Sequence, residues 1–236
     1  MRGLCLTLML CALLAACGGQ RPAGDAMFPL GEGRSWTYRT TTSFENDASE
    51  PQHETLTLRT CGSETIEGLP AWRRRSDNGV DYWLRSDASG IYRVASKSDV
   101  DRDPRLDGNP RYVLHTPYAV GTQWDASTTA YVLERRNEFL KELRHTLKPV
   151  AMHYRIDAVN EKVQTPAGNF DGCLRVSGRA EIKLYIDAIG RWDGVPLTTR
   201  EWYCPEVGLV RLERAEPSPS KLMRGGTLTM ELTTWQ

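Results

Sequence analysis

Large apolar and polar side chains alternate along most of the chain with a period of two residues. The alternation is clearest in residues 36–42, 54–60, 153–159 and 227–235. This period places neighbouring side chains on opposite faces of a β-strand, so that one face is apolar and the other is hydrated. Turn-forming segments such as Asp77-Asn78-Gly79 separate the alternating runs. The pattern therefore predicts a mainly β protein with antiparallel strands.

One stretch, residues 133–145, departs from this alternation. Leu133, Phe139, Leu140 and Leu143 would lie near one face of a helix. The stretch is short and has no capping residue, so a long charged hairpin is an equal alternative. We therefore expect at most one short helix in the fold.

Three sequence landmarks occur twice in the same order, which indicates an internal duplication. Pro29, Gly33 and Trp36 recur as Pro117, Gly121 and Trp124, segment 64–74 corresponds to 161–171, and segment 82–94 corresponds to 202–212. The period is too long for a solenoid repeat, and chance recurrence of Gly and Trp is the rival explanation. We expect two related β-modules, 28–112 and 113–236, that form one continuous domain with a strongly curved sheet or an open barrel.

The N-terminus has the organisation of a bacterial signal peptide. Arg2 precedes an apolar run over residues 4–14, which is too short to span a bilayer. The following Leu14-Ala15-Ala16-Cys17 resembles the lipobox of bacterial lipoproteins. This resemblance implies cleavage after residue 16 and a lipid on Cys17, which would make the membrane a partner of the mature protein.

The residues after Cys17 suggest where the protein resides. In the resembled lipoprotein class, Asp after the Cys favours retention at the inner membrane, whereas Gly18 occupies that position here. The resemblance therefore implies the periplasmic face of the outer membrane of a Gram-negative cell. Residues 17–27 comprise the lipidated Cys and a small, polar, flexible tether.

The charge balance limits the partners that we expect, and the cysteine content limits the possible disulfides. Thirty basic and thirty acidic residues balance, so no nucleic-acid partner is expected. Cys61, Cys173 and Cys204 remain after cleavage and lipidation, and an oxidising periplasm permits one internal disulfide. We favour Cys173–Cys204 because both lie in apolar, strand-like segments. Cys61 would then be a free thiol or pair with another molecule.

Chemistry-bearing motifs are scarce. Asp99, Asp101 and Asp103 alternate as calcium ligands can, but Pro104 breaks the EF-hand spacing, so a solvated loop is favoured. The four histidines lack metal-ligand spacing, and neither a nucleophile elbow nor a phosphate-binding glycine loop is present. We therefore predict no catalytic residue, no metal and no cofactor. The sequence Arg73-Arg74-Arg75 is predicted to lie in a strand, in which the Arg74 side chain points to the face opposite to that of its neighbours.

A resemblance supports the envelope assignment. Residues 165–176 (TPAGNFDGCLRV) and 203–210 (YCPEVGLV) are similar to motifs shared by largely uncharacterised bacterial envelope lipoproteins. Cys204 replaces the small residue expected there, which adds to the case for its link to Cys173. The resemblance implies no activity. We expect a membrane-anchored periplasmic lipoprotein with a non-enzymatic binding or scaffolding role. The alternatives are a carrier of an acyl chain or other apolar ligand, and an envelope hydrolase.

Overall fold

A computed structural model describes residues 26–45, 50–135, 149–186, 190–217 and 223–236, without the side chains of 134–135, 184–186, 191 and 193. About three quarters of these residues belong to antiparallel strands, which confirms the predicted fold class. Twelve strands form one curved, nearly closed sheet, and two short strands pair beside it. Within these ranges there is no apolar helix of the length that a bilayer crossing requires.

The strands divide into two runs along the chain. The first run comprises β1 (Ser35–Phe44), β2 (Gln52–Ile66), β3 (Leu69–Ser76), β4 (Asp81–Asp87), β5 (Gly90–Lys97) and β6 (Arg105–His115). The second comprises β7 (Gln123–Thr128), β8 (Glu134–Arg135), β9 (Val150–Thr165), β10 (Gly168–Ile186), β11 (Arg191–Cys204), β12 (Gly208–Glu216), β13 (Met223–Arg224) and β14 (Gly226–Trp235). The pair β8–β13 forms the separate small sheet.

Each run contributes a six-stranded meander to the large sheet. The order is β6-β5-β4-β3-β2-β1 followed by β14-β12-β11-β10-β9-β7. Backbone pairing of β1 with β14 joins the two meanders. The strands β6 and β7 stand at the two ends of this order and meet across a seam. The Arg111 guanidinium of β6 crosses the seam and donates to the backbone oxygen of Ser127 in β7.

The inner face of the sheet carries the principal core. Fully buried side chains from both meanders meet there, including Ile91, Leu114, Met152, Ile156, Val176 and Leu197. Gly178 lies in this core, where a Cβ atom would come within 2.8 Å of the Tyr154 ring. The glycine therefore lets Tyr154 lie across β10 and stack on Trp124, with ring centroids 5.6 Å apart.

Of residues 133–145, the structure describes only 133–135, where β8 begins at Glu134. The choice between helix and hairpin for the remainder therefore lies outside the described residues.

Candidate functional site

A polar trough lies on the outer face of the second meander. Its volume is about 420 Å3. Outer-face side chains line it, namely Asp157, Ser177, Arg179, Thr198, Arg200, Glu213, Ala215, Thr227 and Thr229. The intervening residues Gly178, Thr199, Arg214 and Leu228 also reach its floor. We call this cavity the outer trough.

Strand register explains why the outer trough has a low floor and high rims. Ser177 pairs with Arg200, and Arg200 pairs with Glu213. The next row towards the strand ends contains Arg179, Thr198, Ala215 and Thr227 in adjacent strands. Small and hydroxyl-bearing side chains therefore occupy three neighbouring strands of this second row, and the long side chains of Arg179, Arg200 and Glu213 stand beside them.

The charged residues around the outer trough differ in whether they have an ion-pair partner. Arg200 lies 3.2 Å from Glu213, which also receives Arg211 at 2.7 Å. Asp157 has Arg155 beside it at 3.9 Å. Arg179 is exposed and forms no ion pair with any described residue. The outer-face lining thus holds two arginines and two carboxylates, and Arg179 is the one of these four charges without an ion-pair partner among the described residues.

An aromatic ring borders the outer trough. Trp202 lies on the same outer face, two residues along β11 from Arg200. Its indole nitrogen donates to Glu161 at 2.9 Å, and the Arg211 guanidinium lies 5.6 Å from the ring centroid. The tryptophan and its two partners therefore form a fixed, half-buried border.

None of the three described cysteines that the sequence singled out lines the outer trough. Cys17 is outside the described residues. Cys173 and Cys204 form a disulfide in a core cluster with Trp36, Tyr38 and Phe170, at the end of the sheet where β1 begins. Cys61 is a free, exposed cysteine. These cysteines thus do not form a common site.

Residues 26–30 close the end of the sheet where β1 begins, and we call them the N-terminal plug. Phe28 and Leu30 are buried in the principal core. The backbone N–H of Glu206 donates to the carbonyl of Ala26 at 2.6 Å. Residue 26 is the first that the structure describes, so the plug is the described segment nearest in sequence to Cys17.

Arg74 holds the N-terminal plug in place. It faces inward while Arg73 and Arg75 face outward, as the alternation predicts. Its guanidinium lies 4.4 Å from the Phe28 ring centroid and 4.1 Å from that of Trp36, and it donates to the Pro29 carbonyl at 2.6 Å. Burial lowers the pKa of Arg74 to about 10, with Tyr38 acting in the opposite direction.

A second segment, residues 129–133, lies at the opposite end of the sheet, and we call it the strap. The fully buried Glu216 carboxylate accepts hydrogen bonds from the backbone N–H groups of Tyr131, Val132 and Leu133 at 2.8–3.0 Å. Arg214 pairs with the same carboxylate at 2.5 Å and donates to the Thr129 carbonyl. The buried ion pair therefore fixes the strap over the core.

The inner face also holds a second buried acidic group, Glu201. Burial raises the pKa of Glu201, while the hydrogen bond from the Tyr203 hydroxyl and the charges of Arg111 and Arg214 act in the opposite direction. The register places Glu201 beside Leu212, which pairs with Met230.

Three inner-face residues, Leu212, Leu228 and Met230, are half-buried rather than sealed. They alternate with outer-face residues in β12 and β14, and the register joins Met230 to Leu212 and Leu228 to Arg214. The inner face therefore retains some accessible apolar surface beside Glu201.

The outer trough is the feature that sequence reasoning missed. Its residues come from strands β9 to β14 and span 73 positions from Asp157 to Thr229. The sequence signal was the run of Ser, Thr and Arg at outward positions of consecutive strands. That signal becomes a site only once the strand register brings those positions side by side.

Comparison with known proteins yields no family model that matches the chain and no match among curated proteins. Two crystal structures are similar over 89% of this chain and 98% of theirs, at 16% identity. One is a "putative lipoprotein" from Parabacteroides distasonis, with a TM-score of 0.45. The other is a "putative exported protein with YmcC-like fold" from Bacteroides fragilis, with a TM-score of 0.39. Similarity at this level carries no argument about function.

Proposed function

We propose that this protein is a lipid-anchored lipoprotein of the Gram-negative outer membrane, facing the periplasm, whose β-body binds a protein partner without catalysis. The outer trough is the binding surface. The observation that carries this proposal is the preformed, polar outer trough, with Arg179 beside it unpaired in the part of the chain that the structure describes, on a sheet whose two ends are occupied by the chain's own segments.

The position of the N-terminal plug supports the arrangement. Gly208, at the start of β12, lies beside Pro29 of the plug, and Glu213 and Ala215 of the trough follow five and seven residues later. At about 3.3 Å per strand residue, the trough lies roughly 16–23 Å from the plug. A lipid on Cys17 would therefore leave the trough accessible to a partner.

The anchor and the binding surface are tested separately. Radiolabelled palmitate should enter the wild-type protein and should not enter Cys17→Ser. A photocrosslinking residue is then placed at Thr198 in the trough and, as a control, at Ser63, which is an exposed hydroxyl residue on β2. We expect a defined crosslinked protein from Thr198 in intact cells and none from Ser63. Identical products from both positions would contradict binding at the outer trough.

The half-buried Leu212, Leu228 and Met230 favour a second candidate, a carrier of an acyl chain on the inner face. Native mass spectrometry of protein extracted from its own cells would detect a bound fatty acid or phospholipid. We expect Met230→Glu to remove that mass if the inner face carries it. A protein that is free of lipid in its native extract would eliminate the carrier.

A further inference from the structure

We propose that the outer trough recognises an extended acidic segment of its partner, in which two carboxylates are separated by one residue. This inference rests on the binding role of the trough proposed above and adds the chemistry of its ligand. Arg179 and Arg200 are the recognising residues, and the Ser and Thr hydroxyls of the floor contact the ligand backbone.

The spacing of the two arginines carries the argument. Arg179 pairs with Thr198, and Arg200 follows two residues later on the same strand as Thr198. Arg179 and Arg200 are therefore diagonal neighbours on one face, with Cα atoms roughly 7–8 Å apart. Residues i and i+2 of an extended peptide lie about 7 Å apart and point to the same side. Two carboxylates at i and i+2 can thus meet both guanidinium groups at once.

The local charges select carboxylates over other ligands. Arg179 has no ion-pair partner among the described residues. Arg200 shares Glu213 with Arg211, so an incoming carboxylate can take Arg200 while Glu213 keeps Arg211. Guanidinium groups bind carboxylates through two parallel hydrogen bonds, which gives geometric selectivity as well as charge.

The shape and floor of the trough fit a peptide chain. Ser177, Thr198, Thr227 and Thr229 present hydroxyl groups that donate and accept hydrogen bonds, as peptide N–H and C=O groups require. A volume of about 420 Å3 holds a short extended segment and not a folded domain. A flat bilayer surface would reach the rims without filling the recess.

The test uses the full mature protein in detergent and fluorescein-labelled peptides of identical length. The sequences contain Glu-Ser-Glu, Gln-Ser-Gln or adjacent Glu-Glu, and binding is followed by anisotropy at low and physiological salt. We expect Glu-Ser-Glu to bind about tenfold more tightly than either other peptide. Equal affinity for Glu-Ser-Glu and adjacent Glu-Glu would overturn the spacing argument.

Arginine variants locate the binding. The double variant Arg179→Gln/Arg200→Gln should lower the affinity about tenfold, whereas Arg59→Gln, an exposed arginine of β2, should leave it unchanged. An equal loss in both variants would show non-specific attraction and overturn the proposal. Anionic phospholipid vesicles and an acidic oligosaccharide are assayed in parallel. Arginine-dependent binding of either one, without peptide binding, would also overturn it.

Photocrosslinking from Thr198 distinguishes a failure of the acidic peptide motif from a failure of the binding role of the trough. A partner captured at Thr198 that lacks an acidic i, i+2 segment would reject the peptide motif and leave the binding role of the trough standing. No capture at Thr198, with binding of Glu-Ser-Glu in vitro, would reject the binding role in the cell.

Discussion

The protonation state of Glu201, a buried residue of the inner face, affects the stability of the fold. Because its folded-state pKa lies above the unfolded value near 4.5, the folded protein holds the proton more tightly than the unfolded chain. The resulting stabilisation is fully present below pH 4.5 and is lost as the pH rises through the folded-state pKa. Above that pH, the folded protein must keep an ionised carboxylate buried.

The variant Glu201→Gln is therefore expected to gain stability relative to wild type as the pH rises from about 4 to about 8. The melting temperatures of both proteins across this range measure the effect. Glu181→Gln, at an exposed position of β10, should show no such trend. A pH-independent difference between Glu201→Gln and wild type would show that burial does not govern this group.

Arg74 presents the opposite case, a buried cation with no carboxylate beside it among the described residues. Arg74→Met removes the desolvation cost of the charge and also the contacts with Phe28 and Pro29. Arg74→Lys keeps a charge that is compact, strongly hydrated and unable to lie flat between two rings. We expect Lys to cost about 1–3 kcal/mol more than Met in the free energy of unfolding, measured with urea.

Hydrogen exchange gives a second measure of the same site. The amide of Glu206, which donates to Ala26 of the N-terminal plug, should lose protection in both Arg74 variants. If Lys proves the milder change, the ring contacts contribute little and the charge itself holds the plug.

At the scale of elements, most strands can be predicted from local sequence patterns, whereas the N-terminal plug and the strap cannot. Alternation locates β1, β2, β9 and β14, because each strand has one apolar face and one hydrated face. The apolar settings of Cys173 and Cys204 already pointed to the pair that the structure joins. These features depend on residues that are close in sequence or share one strand pattern.

The strap and the N-terminal plug depend on contacts between distant residues. Glu216 bonds to amides more than 80 positions away, and in sequence it is one more charged residue in an alternating strand. The same holds for the outer trough, where single outward positions become a site through register. Local propensity carries no information about such partners, so these parts could not be predicted from the sequence.

The strap provides a prediction for an element held by a buried ion pair. Glu216→Ala leaves Arg214 buried without its partner and removes the acceptor for three backbone amides. We expect a loss of about 3–5 kcal/mol in the free energy of unfolding, measured by urea denaturation.

A double variant distinguishes the contribution of the ion pair to stability from its contribution to holding the strap. Arg214→Met/Glu216→Leu replaces both charges with apolar groups and should recover most of that loss. The amides of residues 131–133 should nevertheless exchange rapidly, since their acceptor is absent. Protected amides in the double variant would show that the strap does not need Glu216.

The whole molecule has the topology that a duplication would produce. We propose that β1 to β6 correspond in order to β7, β9, β10, β11, β12 and β14, as the paired sequence landmarks indicate. In that correspondence the seam between β6 and β7 is the counterpart of the junction between β14 and β1. One of these two junctions has a backbone ladder, and the other has the Arg111 bridge.

The asymmetry predicts where the sheet opens first. Arg111→Met removes the side-chain bond to the Ser127 carbonyl, so amides of β6 and β7 should exchange about tenfold faster in hydrogen-exchange mass spectrometry. Arg39→Met is the matched control, because Arg39 bridges the other junction to Glu231 at 3.0 Å. Since the backbone ladder already holds β1 to β14, that variant should leave exchange nearly unchanged. Faster exchange at β1 and β14 than at the seam, in either variant, would reverse the assignment of the weaker junction.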